Sequence, residues 1–317
     1  MKRMLAGLLV LVATQVQAQA WPARPVKIIV PFAPGGTADT LGRLAAQKLG
    51  EELKASFVVE NRAGAGGAVG SDLVAKAAPD GYTLVISGIA SHVIAPMLPQ
   101  GTPYDPVRDF THIAPFGGPP AVLAVYAPLP AKDLAALIAL AKSGHGLSYG
   151  SPGNGTQGHL VAELFKQRAG INMQHIPYKG ASGAMTDLIA GHIPVVSTTL
   201  ATAAPQIRAG RARGLAISAA SRLAEFPDIP TYAELGYPDL VATVWFALSG
   251  PVNLPADIVE RLNAEVNRVL ELAEVRERLK PEGIVPSRMS AQEFGAFVAE
   301  ELRRWGPVVR ASGARND

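Results

Sequence analysis

The sequence predicts an α/β fold with mostly parallel strands, arranged as two lobes. Short β-rich segments alternate with amphipathic helices, which is typical of this fold class. The 317 residues exceed what one small core accommodates, so two compact units are expected. Hydrophobic residues make up 48% and charged residues 17%, which excludes a disordered chain.

The first twenty residues have the pattern of a cleavable signal peptide. Lys2 and Arg3 precede an apolar stretch over 4–16, and Ala18-Gln19-Ala20 is a cleavage motif, so cleavage is expected after Ala20. Removing Lys2 and Arg3, the only charged residues of this segment, lowers the net charge from +3 to +1. A nucleic-acid partner is therefore not expected. The absence of cysteine excludes disulfides, thiol nucleophiles and a lipid anchor.

Strands and helices alternate from residue 26 onward. The first half predicts strands over 26–30, 57–59 and 83–87 and a helix over 69–77. Between the first two strands, Leu41, Leu44, Ala45 and Leu49 predict the apolar face of another helix. A strand over 122–125 is expected to lie near the passage between the lobes, and Leu134, Leu137, Ile138 and Ala141 predict the helix after it.

The second half repeats this alternation. It predicts strands over 147–150, 173–176, 195–196 and 215–218, a helix over 157–168, a strand over 244–248 that crosses back, and two long C-terminal helices. The predicted lobes are 21–118 plus 248–317, and 119–247.

One motif suggests an enzyme. Gly146-Leu147-Ser148-Tyr149-Gly150 matches the G-x-S-x-G motif of serine hydrolases, and Asp187 and His192 follow in the order of a triad. That motif requires a strand immediately before the serine, whereas a helix end is expected here and Ser148 falls inside the strand. An exported serine hydrolase using Ser148 stays the alternative hypothesis.

Two glycine-rich loops each lead from a strand into a helix. Gly153-x-Gly155-x-x-Gly158 resembles a dinucleotide fingerprint, but the next strand ends in Pro177 rather than in the acid that would hold a ribose. The loop over 31–36 has the same character, and Asp39 is expected to cap the helix after it. Both loops predict free amides that favour an anion. No histidine pair has metal-binding spacing, and no metal or cofactor is expected.

Many short motifs, taken together, resemble one family. They include Pro31-Phe32-Ala33-Pro34-Gly35-Gly36, Glu60-Asn61-Arg62, Pro79-Asp80-Gly81-Tyr82, Leu147-Ser148-Tyr149-Gly150-Ser151, His159-Leu160, Pro177-Tyr178-Lys179-Gly180 and Arg304-Trp305. In this order and spacing they resemble the periplasmic substrate-binding proteins of tripartite tricarboxylate transporters, the Bug/TctC family, over residues 21–312.

The resemblance implies a type II periplasmic-binding fold and a binding protein without enzymatic activity. Two lobes joined by two crossing strands would enclose a small organic carboxylate, and a monomer would deliver it to a membrane permease or to a sensor. The ligand-binding residues implied are Phe32, Ala33, Pro34, Gly35, Gly36, Ser87, Ala90, Ser91, Ser151, Asn154, Gly155, Thr156, His159, Tyr178 and Thr198.

One segment departs from the family pattern. Members often carry Phe-Asp-Asn where this chain has Ser197-Thr198-Thr199. None of these three residues supplies the negative charge that a buried ammonium requires. A carboxylate without an amine is therefore the expected ligand.

Overall fold

A computed structural model describes residues 21–144, 146–178, 180–241, 244–280 and 283–312. The predicted signal peptide, 1–20, lies outside the described residues, as do His145 and Lys179. Within the described part of the chain, no helix is both long enough and apolar enough to cross a membrane.

The helices and strands follow the predicted alternation. The strands are β1 (Val26–Val30), β2 (Phe57–Asn61), β3 (Thr83–Gly88), β4 (Phe110–Gly117), β5 (Ala121–Tyr126), β6 (Ser148–Ser151), β7 (Gln174–Pro177), β8 (Val195–Thr199), β9 (Ala212–Ile217) and β10 (Phe246–Pro251). The α-helices are α1 (Thr37–Leu53), α2 (Ala68–Ala75), α3 (Ala95–Met97), α4 (Leu134–Lys142), α5 (Gln157–Ala169), α6 (Ala181–Ala190), α7 (Leu200–Arg208), α8 (Ala256–Glu271), α9 (Ala273–Leu279) and α10 (Ala291–Ser312). A π-helical turn, Ala90–Ile94, leads into α3.

The strands form two separate mixed sheets, which confirms two α/β lobes. The first sheet has the order β2-β1-β3-β10-β4, and the second has the order β7-β6-β8-β5-β9. In the first, β1 is parallel to β2 and β3, whereas β10 is antiparallel to β3 and β4. In the second, β6 is parallel to β7 and β8, and β5 is antiparallel to its neighbours. The loops that follow β1 and β6 leave the sheets at the carboxyl ends of these parallel strands.

The chain passes between the sheets at 118–120, and the described part of its return is 244–245. The two passages are in direct contact, because the Val244 N–H donates to the Pro119 carbonyl at 3.1 Å. Gly118 is required by this close approach, since a Cβ there would lie 1.8 Å from the Val244 carbonyl oxygen. The strand over 122–125, which the sequence suggests could cross between the lobes, lies within the second sheet as β5. β10 begins at Phe246, slightly before the expected boundary at 248, and the exact lobe boundaries stay a prediction.

The C-terminal helix joins the two lobes from behind. α10 packs on β4 of the first sheet and on α5 of the second lobe. Its Glu301 carboxylate accepts the indole N–H groups of Trp245 and Trp305, both at 3.2 Å. Burial is the main influence on this carboxyl and raises the pKa of Glu301. The return passage, which contains Trp245, is thereby fastened to α10.

Candidate functional site

A cleft of about 870 Å³ lies between the two lobes. Its walls are the loops that follow β1 and β6 together with the first turns of several helices. Its lining comprises Phe32, Ala33, Pro34, Gly35, Gly36, Thr37, Thr40, Gly66, Pro152, Gly153, Asn154, Thr156, Tyr178, Gly180, Ala181, Ser182, Gly183, Ala201, Thr202 and Pro205.

Four helices of the described residues begin at this cleft. They are α1 after Gly36, α5 after Thr156, α6 after Gly180 and α7 after Thr199. No side chain caps α1, α6 or α7. The first N–H groups of a helix lack intrahelical partners and carry the positive end of its dipole, so these N-termini together favour an anion.

The lining carries no charged side chain among the residues that the structure describes. Tyr178 is its titratable group, and its hydroxyl donates to Asp187 at 2.6 Å. Burial, and after it the bond to Asp187, raises the pKa of Tyr178 to about 12, so the phenol stays protonated. An anion in the cleft would therefore be held by amides, hydroxyls and helix dipoles.

A buried carboxylate supports the loop of the first lobe from behind. Asp39, in the first turn of α1, accepts the Gly35 N–H at 3.0 Å, two bonds from Arg43 at 3.0 Å and one from Asn61 at 2.9 Å. Burial opposes ionisation most strongly, but the bonds from Arg43, Gly35 and Asn61 outweigh it and lower the pKa of Asp39. Asn61 also donates to the Phe32 carbonyl at 3.1 Å. Asp39 is therefore structural, but the predicted helix cap is wrong: its carboxylate accepts the Gly35 N–H before the helix, and no side chain caps α1.

Two histidines support the loop of the second lobe. The Gly155 N–H donates to His159 Nδ1 at 3.1 Å. Ser151 Oγ lies 2.7 Å from His175 Nε2 and donates its own proton to the Gly153 carbonyl at 3.1 Å. The backbone of Gly153 and Gly155 is held in place by neutral imidazoles that lie behind the cleft.

The two imidazole rings are stacked and stay uncharged. Their centroids are 3.9 Å apart with an angle of 7° between the planes. Burial lowers the pKa of His159 to about 4. Burial first, and then the closeness of His159 and of the Lys166 ammonium, lowers the pKa of His175 to about 3. Protonation of His159 would place a hydrogen on the Nδ1 atom that accepts the Gly155 amide, so this support requires the neutral ring.

Most of the predicted ligand-binding residues lie at the cleft. Those that line it are Phe32, Ala33, Pro34, Gly35, Gly36, Asn154, Thr156 and Tyr178. Ala90 and Gly155 line cavities that adjoin it. The Thr156 hydroxyl already donates to the Gly153 carbonyl at 2.8 Å and accepts the His159 N–H as a helix cap, so its side chain also shapes the loop.

The structure places five predicted residues away from the cavity linings. They are Ser87, Ser91, Ser151, His159 and Thr198. Ser87 Oγ lies 2.8 Å from Ser249 Oγ, and Ser91 Oγ lies 2.9 Å from His92 Nδ1, so both hydroxyls are paired inside the first lobe. Thr198 is fully buried and opposes Val122 in the sheet, while its neighbour Thr199 faces a cavity. Successive residues of a strand point to opposite faces, which separates these two threonines.

The geometry offers no support for the hydrolase alternative. Ser148 begins β6 and opposes Gln174 of β7, so it lies in a sheet rather than at a strand-to-helix turn. No histidine of the described residues hydrogen bonds to it. His192 instead lies 3.3 Å from Asp187, which is engaged with Tyr178. The nucleophile and base of a triad do not meet.

Sequence reasoning missed two of the four helix N-termini. The first turns of α6 and α7 contribute Ser182, Gly183, Ala201 and Thr202 to the cleft. Gly180 precedes α6 as Gly36 precedes α1, so the sequence offered that start, whereas Thr199 before α7 has no glycine-rich loop to mark it.

The comparison with known proteins agrees with this architecture. The profile of the family described as "Tripartite tricarboxylate transporter family receptor" matches residues 41–314. The chain belongs to this family. Members of the family are substrate-binding proteins rather than enzymes.

Individual relatives resemble the chain over nearly its full length. Protein BugT of Bordetella pertussis is 38% identical, with 99% of each chain covered. The structure of R. palustris Rpa4515 with adipate is 34% identical with a TM-score of 0.86, covering 93% of this chain and 99% of that one. MatC from Rhodopseudomonas palustris with bound malate is 31% identical with a TM-score of 0.82, covering 91% and 100%.

Proposed function

We propose that the protein is a periplasmic receptor that encloses a small organic carboxylate between its lobes and delivers it to a transporter permease. The observation that carries the proposal is the meeting of four helix N-termini at a cleft whose described lining has no charged side chain. Such a site stabilises a carboxylate through N–H groups and dipoles. Similar structures that contain adipate and malate support the same ligand class.

The proposed ligand carries no amine. A buried ammonium requires a carboxylate partner, and no aspartate or glutamate of the described residues lines the cleft. Asp187 lies behind Tyr178, whose hydroxyl it accepts at 2.6 Å. Thr199, the residue of the segment 197–199 that faces a cavity, also carries no charge. Dicarboxylates, hydroxy acids and aromatic acids are the classes that fit these observations.

The proposed location is the periplasm, after cleavage behind Ala20. Periplasmic binding is the role of the family, and the first twenty residues have the composition of an export signal. The receptor would act as a monomer, with the permease of a tripartite tricarboxylate transporter as its partner.

A thermal-shift screen tests the ligand class. The panel contains succinate, adipate, malate and benzoate against aspartate and glutamate, and mass spectrometry identifies any ligand released from freshly purified protein. A carboxylate at one hundred times its Kd should add about 2.7 kcal/mol to the free energy of unfolding. Stabilisation by aspartate or glutamate, with no effect from the amine-free acids, would contradict the proposal.

A blocked variant locates the binding to the cleft. Gly36 has φ −89°, and a Cβ there would meet no atom within 4 Å, so Gly36→Phe should fold and fill the cleft. Gly295 on α10 has the same free space and lies away from the cleft, so Gly295→Phe is the matched control. Stabilisation by carboxylates should disappear in the first variant and persist in the second.

A further inference from the structure

A side cavity of about 220 Å³ adjoins the cleft beside the passage by which the chain returns to the first sheet. Val244 of that passage and Phe246 at the start of β10 form part of its wall. Ile89, which follows β3, forms another part, and its N–H donates to the Trp245 carbonyl at 3.3 Å. The cavity and the cleft have Phe32 and other lining residues in common, so one ligand can extend from one into the other.

The wall of the side cavity is largely apolar. Ala38, Ile89 and Val244 are each less than a tenth exposed, and all three line it. No charged side chain lines it among the residues that the structure describes. Two of its hydroxyls are paired with each other, because Thr199 Oγ1 lies 3.0 Å from Thr202 Oγ1. This wall favours the burial of an apolar group.

A second carboxylate is unsuited to this place. A carboxylate that leaves water needs hydrogen-bond donors or a cation to replace its hydration, and the described side chains of the cavity supply no cation. A methyl group or a ring has no such requirement. An apolar cavity of about 150 Å³ is large enough to bind benzene, so the side cavity has room for a ring with a small substituent or for a short alkyl chain.

We propose that the ligand is a monocarboxylate whose apolar body fills the side cavity while its carboxylate stays at the helix N-termini of the cleft. The proposal rests on the proposed function, because those N-termini would hold the carboxylate. Thr199 is half-buried and lines the side cavity without belonging to the lining of the cleft. It is therefore the position at which a charge should change the selectivity.

Two pairs of acids test the native protein by calorimetry. Hexanoate differs from adipate, and 4-methylbenzoate from terephthalate, only in carrying a methyl group where the diacid has its second carboxylate. In the pair that binds more tightly, the native protein should prefer the methyl acid by about tenfold or more, because burying an unpaired carboxylate is costly.

The length of the alkyl chain gives a second measure in the native protein. From propanoate to hexanoate, affinity should rise about fourfold with each methylene group that leaves water, until the cavity is full. An acid held by its carboxylate alone would show no such rise.

A variant with a positive charge in the side cavity should reverse the selectivity. Thr199→Lys places an ammonium beside the far end of the ligand, so it should bind adipate more tightly than hexanoate. Thr186→Lys is the matched control, since Thr186 lies on an exposed face of α6 outside the cleft and the side cavity. It should keep the native preference.

The outcomes separate this inference from the proposed function. Equal or tighter binding of the diacids by the native protein, or affinity that does not change with chain length, would overturn the inference and leave the proposed function standing. A folded Thr199→Lys variant with the native preference would show that the apolar body lies elsewhere. If Thr199→Lys does not fold, the native comparisons decide, and if no carboxylate binds, the proposed function itself fails.

Discussion

Removing the histidine support of the second loop should weaken ligand binding without removing any residue of the cleft lining. The Gly155 N–H is buried and donates to His159 Nδ1. A variant without that acceptor leaves the amide unpaired at a cost of about 1–3 kcal/mol unless the loop moves. Ligand affinity should fall by about fivefold to a hundredfold, since about 1.4 kcal/mol corresponds to a factor of ten.

Two variants of His159 separate the hydrogen bond from the ring stacking. His159→Phe keeps a ring over His175, which is stacked at 3.9 Å, but has no acceptor. His159→Asn loses the ring, yet its Oδ1 occupies the place of Nδ1 along the side chain. We expect His159→Phe to bind poorly and His159→Asn to recover much of the native affinity.

The assay is calorimetry with the best carboxylate of the panel, combined with hydrogen exchange of the peptide that contains Gly155. Faster exchange of the Gly155 amide should accompany the loss of affinity in His159→Phe. Native affinity and native exchange in His159→Phe, or a defect confined to His159→Asn, would refute the reasoning, because ring packing alone would then support the loop.

Two other predictions concern acid stability and the first loop. Burial is the leading cause that lowers the pKa of four histidines, to about 4 or below in three of them and well below 6.5 in the fourth. The three are His112, His159 and His175, and the fourth is His92. In the unfolded chain these histidines bind a proton near pH 6.5, whereas in the folded chain they stay neutral to lower pH. The free energy of unfolding should therefore be highest above pH 6.5. It should fall as the pH is lowered toward 4, by up to about 1.4 kcal/mol per pH unit for each histidine. Urea denaturation at pH 7.5, 6 and 5 checks this, and an unchanged midpoint would contradict it. Asp39→Asn should lower stability by about 1–2 kcal/mol and weaken binding, because the amide cannot accept every bond that the carboxylate accepts. Arg43→Gln, which leaves the Gly35 bond intact, should have the smaller effect on affinity in the same calorimetric assay.

The alternation of strands and helices was predictable because the hydrophobic periodicity of most elements is strong. β4 was not predicted. Its sequence FTHIAPFG contains Pro115 and ends in Gly117, both of which usually end a strand. It is accommodated because its pairing with β10 has register shifts at two points. Local propensity cannot reveal a partner strand that lies more than a hundred residues along the chain.

The site was predictable where backbone chemistry determines it and less so where side chains do. The loops at 31–36 and 151–156 lie at the cleft as expected. Ser151 ends strand β6 and His159 lies in the first turn of α5, and both bond the loop between them from behind. Side chains alternate between the two faces of a strand and rotate around a helix, so neighbours in one motif face different ways. A sequence motif marks which residues occur together and does not state which of them face the ligand.

The link between Glu301 and two indoles has a practical consequence for observing the protein at work. The chain contains three tryptophans. Two of them, Trp245 in the return passage and Trp305 in α10, share one buried carboxylate between the lobes. Indole emission depends on the polarity and charge around the ring. Any rearrangement of the passage relative to α10 would change that environment, so the native protein carries its own optical reporter of lobe movement and needs no attached dye.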